Sequence, residues 1–228
     1  MPARALFIAG AGTEIGKTYV TAALTRRLRA QGRAVRTVKP LASGVPSLGD
    51  PGFIESDTAR LLDAQGIALD AEAVESCSPW RFSAPLSPDQ AAVLEGRSLN
   101  LTDLVGWCRA EIARTEGTLL IEGVGGLMSP VTAVATGLDW LRALGVPALL
   151  VSGSYLGAIS HALTACETLR LHDVPLRAVA VSESPGAPAP AATVPAATVA
   201  AAIARHAGAP VFCLRRGETC PEDLAGLI

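Results

Sequence analysis

The chain has 228 residues, half of them hydrophobic and 18% charged, with 19 basic against 21 acidic side chains. That length can bury one substantial core, as one domain or at most two small ones. A net charge of −2 supplies no electrostatic footprint for nucleic acid or an anionic membrane, so the expected partner is a small molecule held in a pocket.

Taken in chain order, short apolar runs alternate with longer helical stretches. Ala5 to Ala9 reads as a first strand, Lys17 to Ala30 as a helix that stops before Gly32, and Ala34 to Val38 as a second strand. A polar Gly/Pro-containing stretch, Ser43 to Glu55, precedes a helix over Ser56 to Gln65. Leu101 to Thr115 reads as helical and Thr118 to Ile121 as a buried strand. Further strands are expected at Ala148–Val151, Arg177–Val181 and Pro210–Leu214, separated by helices near 156–172 and 196–207. Apolar strands alternating with helices predict an α/β fold: three layers, a mostly parallel central sheet and helices on both faces. Ser184 to Ala202 is rich in Ala, Pro and Thr. Its first half, Pro185–Pro190, reads as an extended loop and its second as an alanine-rich helix. Nothing marks a boundary, so residues 1–228 are expected to form a single domain.

Ligands of such sheets collect at the carboxyl ends of the strands, and polar residues stand there. After the first strand comes Gly10-Ala-Gly-Thr-Glu-Ile-Gly-Lys-Thr18. A glycine-rich turn into a helix aims backbone N–H groups and the helix N-terminus at one anion. Lys17 adds charge for the β/γ-phosphates of a nucleoside triphosphate, and Thr18 a hydroxyl for its magnesium ion. Ala11 stands where the usual pattern has its first glycine, between Gly10 and Gly12. After the second strand comes Lys39-Pro-Leu-Ala-Ser-Gly44. Lys39 there is compatible with a solvated side chain, or with a second cation that neutralises a transferring phosphoryl group. Glu122 ends the central strand and opens Glu122-Gly-Val-Gly-Gly126, where it is either a magnesium ligand or an exposed turn residue. Ser56 and Asp57 can cap a helix, line the site, or do both.

The five cysteines (Cys77, Cys108, Cys166, Cys213, Cys220) form no C-x-x-C pair and read as reduced thiols of a cytosolic protein. The phosphate loop starts too early for a signal peptide ahead of it. No run reaches the roughly 20 apolar residues that span a bilayer. The expected location is cytoplasmic.

These blocks, together with Ala84-Pro-Leu-Ser-Pro88, Glu95-Gly-Arg97 and Leu156-Gly-Ala-Ile-Ser-His161, resemble in order the dethiobiotin synthetases, phosphate-loop NTPase-like enzymes. The resemblance implies ATP-dependent carboxylation of 7,8-diaminononanoate with carbon dioxide. The route runs through a carbamate and a carbamic–phosphoric anhydride to dethiobiotin, ADP and phosphate. It implies nucleotide binding by Gly12, Thr13, Glu14, Ile15, Gly16, Lys17, Thr18, Tyr19, Glu122 and Gly125. Thr18, Asp57 and Glu122 would ligate Mg2+. Lys17, Lys39 and Thr13 would act on the reacting groups, and Lys39, Ser43, Gly157 and Ser160 would hold the diamine. It further implies a homodimer with active sites at the subunit interface. Two positions depart from the family pattern: Ser160, where relatives often carry an asparagine for the substrate carboxylate, and Ser182, where they tend to carry one that reads the base. Other readings of the same loop are a related ATP-dependent ligase or amidotransferase with another substrate, or a partitioning-type ATPase switch. The loop lacks the early second lysine typical of such switches.

Overall fold

The computed structural model describes residues 4–184 and 194–228. The loop expected at Pro185–Pro190 lies outside the described residues. The elements in chain order are β1 (Arg4–Gly10), α1 (Lys17–Ala30), β2 (Val35–Val38), β3 (Leu41–Ala42), a 3-10 turn (Pro51–Glu55), α2 (Asp57–Gln65) and α3 (Ala71–Cys77). Then follow β4 (Trp80–Arg81), α4 (Pro88–Leu94), α5 (Leu101–Arg114), β5 (Thr118–Glu122), β6 (Pro130–Thr132), β7 (Ala135–Thr136), α6 (Gly137–Leu144) and β8 (Ala148–Ser152). The chain continues with α7 (Ala158–Leu171), β9 (Leu176–Ser182), α8 (Ala196–Ala204), β10 (Val211–Leu214) and α9 (Glu222–Gly226).

Six strands form one sheet in the order β10-β9-β8-β1-β5-β2, every neighbouring pair parallel. The inner strands are mostly apolar because both faces are covered, and their period of two divides the residues between two cores. Phe7, Ala9, Leu119, Ile121 and Leu150 meet helices α5 to α8 on one face. Leu6, Ile8, Leu120, Leu149 and Val151 meet α1 and α9 on the other. A smaller cluster beneath α2 and α3 includes Phe53, Leu61 and Leu62.

β1 lies at the centre, paired with β5 on one side and β8 on the other. The chain leaves β1 for β2 on one flank and later fills β8, β9 and β10 on the opposite flank. The crevice this opens beyond the carboxyl end of β1 is where doubly wound sheets bind ligands. The larger core is anchored by Trp140, fully buried and edge-on to Phe7 at 4.9 Å between ring centroids. Trp140→Ala should cost about 3–5 kcal/mol, seen as a lower urea midpoint with an unchanged m-value.

All five cysteines are free thiols and four are buried. No helix among the described residues is long and apolar enough to cross a membrane.

Candidate active site

The turn after β1 carries the phosphate loop, and its geometry follows from what little side chain it has. Gly16 sits at φ 92° immediately before α1. A Cβ on Gly16 would lie 2.3 Å from the Ser182 hydroxyl, so the loop can pack on the end of β9 only because Gly16 has no side chain. The first turn of α1 keeps its backbone N–H groups free of side-chain caps among the described residues. Lys17 is buried, and its ammonium donates to Gly12 O (3.0 Å) and Gly125 O (2.7 Å), which ties the phosphate loop to the turn after β5. Burial first, and the Lys39 charge second, lower the Lys17 pKa to about 8, with Glu122 and Asp57 opposing. An arriving polyphosphate would replace these weak carbonyl partners with full negative charge.

Two strand ends and one helix start bring the other charged groups together. Lys39 follows β2, Glu122 closes β5, and Asp57 opens α2, whose cap is Ser56 Oγ accepting from the Ala59 N–H (3.2 Å). Lys39 is buried, its ammonium paired with Asp57 and, at 2.8 Å, with Glu122 Oε1. Burial alone would lower the Lys39 pKa, but the two carboxylates outweigh it and hold it above its ordinary value. Asp57 is desolvated too, yet the Lys39 ammonium holds it below the usual carboxylate range. Thr18 donates to Glu122 Oε1 at 2.6 Å. The other Glu122 oxygen, Oε2, is buried and has no partner among the described residues. Glu122 is thus neither exposed nor a mere turn residue, and Lys39 is not a solvated side chain.

Lys17, Thr18, Lys39 and Asp57 line one cleft of about 680 Å³, while Glu122 is fully buried and joins it only through its contacts with Thr18 and Lys39. Its lining joins Thr13, Glu14, Ile15, Gly16, Lys17, Thr18, Tyr19 and Gly125 with Lys39, Ser43 and Asp57. It also contains residues that carried no sequence signal of their own: Arg60, Ser129 and Arg216. Ser129 Oγ accepts from the Gly126 N–H (2.8 Å) and steadies the turn after β5. Arg216 follows β10 and places its guanidinium over the Tyr19 ring, 4.7 Å from the centroid, while the Tyr19 hydroxyl donates to Arg215 O. Gly12 lines a neighbouring recess with Tyr155 and His161, whose side chains are hydrogen-bonded to each other at 2.9 Å. Gly157 and Ser160 lie outside the main cleft, exposed at the start of α7. Ser182, at the end of β9, is buried with its hydroxyl unpartnered among the described residues.

A parallel sheet, a glycine turn running into a helix that begins Lys-Thr, and an acid at the end of the adjacent strand define a phosphate-loop nucleotide-binding fold. Solved structures agree at the level of fold alone. The signal recognition particle receptor FtsY from Elizabethkingia anophelis, in complex with GDP, superposes with a TM-score of 0.51 at 14% identity, over 92% of this chain and 56% of that one. The signal recognition particle 54 kDa protein from Aeropyrum pernix, also with GDP, gives 0.50 at 17%, over 99% of this chain and 45% of that one. A family model described as an AAA domain matches residues 4–214. Sequence relatives are much nearer. The ATP-dependent dethiobiotin synthetase of Methylobacterium nodulans is 66% identical over 220 residues, 96% of each chain. That of Caulobacter sp. strain K31 is 48% identical over 216 residues, 94% of this chain and 89% of the relative. The chain belongs to the ATP-dependent dethiobiotin synthetase family, whose members are ATP-using ligases of biotin biosynthesis.

Proposed function

We propose that this chain closes the cyclic urea of dethiobiotin from 7,8-diaminononanoate, carbon dioxide and ATP. The observation that carries the reading is the convergence of Lys17, Lys39, Ser43 and Asp57 on one cleft, with Glu122 buried against Lys39. One amine of the diamine adds to carbon dioxide and loses a proton, giving a carbamate. A carbamate oxygen attacks the γ-phosphorus and ADP leaves. The second amine then attacks the carbonyl and expels phosphate. No step asks for a covalent bond to the protein, so the side chains position the groups and neutralise charge. Lys17 serves the phosphates. Lys39 serves the carbamate and the transferring phosphoryl group, with Ser43 beside it and Thr13 near the reacting atoms.

The donor set of Thr18, Asp57 and Glu122 suits Mg2+, being hard oxygen ligands with one buried carboxylate oxygen to spare. When bound there, the ion would offset charge on the phosphates. Glu122→Gln should weaken Mg2+ binding in the nucleotide complex by at least the roughly tenfold that even outer partners are worth. An unchanged Mg2+ titration would remove Glu122 from the ligand set.

Gly157 and Ser160 would serve the diamine only from a second subunit, because they stand outside the cleft of their own chain. The strongly exposed apolar Leu156 beside them supports a homodimer, which the molar mass in solution by light scattering or ultracentrifugation would test. The protein would work in the cytoplasm, on small molecules alone.

The direct test is incubation with the diamine, bicarbonate, Mg2+ and each of ATP, CTP and GTP. Dethiobiotin and phosphate should form in equal amounts with ATP. Nucleotide hydrolysis without dethiobiotin would overturn the reading in favour of another ligase, and the three nucleotide arms read the base preference that Ser182 leaves unassigned.

A further inference from the structure

One stretch of the cleft wall is contributed by neither the phosphate loop nor a strand of the main sheet. Residues Pro85, Leu86, Ser87 and Pro88 line it beside Lys39 and Ser43. Ser87 is the only one of them with a side-chain hydroxyl, and its Oγ is buried with no partner among the described residues. The backbone of this segment is laced to the Lys39–Gly44 stretch. Phe82 N–H donates to Ala42 O (2.9 Å), Gly44 N–H to Ala84 O (3.0 Å), and β3 pairs in parallel with β4. The wall therefore moves with the residues that flank Lys39.

What fixes the wall comes from the far end of α4. That helix starts at Pro88, the last residue of the wall, and ends at Leu94, after which Gly96, at a φ of 65°, turns the chain back. The turn delivers two side chains to the segment from which the helix set out. A single oxygen of Glu95, Oε1, accepts from Ser83 N–H (2.6 Å), Ser83 Oγ–H (2.8 Å) and Ala84 N–H (3.3 Å). Arg97 Nη1 donates to Arg81 O (2.7 Å), and its guanidinium lies 4.6 Å over the ring of buried Phe82. Neither side chain lines the cleft. This clamp differs from ordinary surface contacts because an irregular segment without a ladder on both sides is ordered only as well as its side-chain anchors allow.

We propose that Glu95 and Arg97 are positioning residues for the substrate side of the cleft: they clamp Arg81–Ala84 and so hold the Pro85–Pro88 wall, with Ser87, against Lys39 and Ser43. The inference rests on the dethiobiotin-forming reading of the site. Nucleotide phosphates are held by other elements, so the clamp acts on the diamine and not on ATP.

Glu95→Ala and Glu95→Gln test this, the glutamine keeping the accepting oxygen. With ATP saturating, Glu95→Ala should raise the KM for the diamine about ten- to a hundredfold, the scale of a small misplacement of bound groups. The ATP affinity should stay within twofold. Hydrogen exchange at residues 83–88 should quicken in Glu95→Ala, and Glu95→Gln should restore both the KM and the exchange. An unmoved diamine KM in Glu95→Ala overturns the inference. So does an equal loss of ATP affinity, or a glutamine variant as impaired as the alanine. A wild-type chain that forms no dethiobiotin sinks the reaction assignment itself, and the inference with it.

Discussion

Lys39→Ala should lower the rate of ring closure by roughly 10²–10³-fold or more, the scale set by removing one preorganised charge from a site of developing negative charge, while ATP still binds within a few fold. The structure gives the reason for the split. Lys39 comes from the end of β2 and touches Asp57 and Glu122, and no bond ties it to the phosphate loop among the described residues. Removing it also leaves Glu122 buried without its cation, and losing one partner of a buried pair typically costs about 3–5 kcal/mol. The variant should therefore unfold at lower urea, and its turnover has to be read well below that midpoint. Lys39→Arg keeps the charge and tests position. It should stay folded and remain slow, because a planar guanidinium cannot replace a point charge held between two carboxylates. Normal turnover in Lys39→Ala would remove Lys39 from the chemistry, and normal turnover in Lys39→Arg would show that a cation there suffices whatever its shape.

Lys17→Ala should show the opposite pattern, with ATP affinity falling about tenfold to a hundredfold. That estimate follows from roughly 1.5–3 kcal/mol for a hydrogen bond to a charged group. The fold should tolerate the change, since Lys17 gives up only two carbonyl contacts and a burial that already disfavours its charge. Calorimetric titration with a non-hydrolysable ATP analogue checks the prediction. Retained affinity would mean that the backbone N–H groups of the loop hold the phosphates unaided. The two variants together ask whether binding and chemistry are separable, as the placement of the two lysines after different strands implies.

The six strands of the main sheet were legible as short, mostly apolar runs, the four inner ones buried nearly throughout, while α1, α5 and α7 are long, α2 is capped by Ser56 and α8 is alanine-rich. What escaped was short. α3, α4 and α9 are five to seven residues each, too brief to nucleate alone, and they exist because the fold presses them against a core. The pairs β3–β4 and β6–β7, two or three residues to a strand, lie outside the sheet and have no hydrophobic period to read. α6 was different. Thr136 and Asp139 form a reciprocal capping box, a T-x-x-D signal that stands in the sequence and could have marked its start. The charged centre of the site could be read because parallel sheets put function at strand ends. Arg216, Arg60 and Ser129 could not, since a lone polar residue in a loop shows its target only when the chain is folded. The pairing of Lys39 with both carboxylates was likewise invisible, because Asp57 and Glu122 are brought together only by the packing of α2 against the sheet.

The central place of β1 also sets an order of events during synthesis. Arg4 to Ile8 find their neighbours at Thr118 to Glu122, and Phe7 to Gly10 find theirs at Ala148 to Val151. A ribosome that has just finished the phosphate loop therefore holds a strand with no partner to either side, and the apolar Leu-Phe-Ile run waits until the middle of the chain emerges. Such long-range parallel pairing folds slowly and leaves strand edges open in the meantime. The first motif to be made is among the last to be ordered, and the nascent chain is most exposed to aggregation before β5 and β8 arrive.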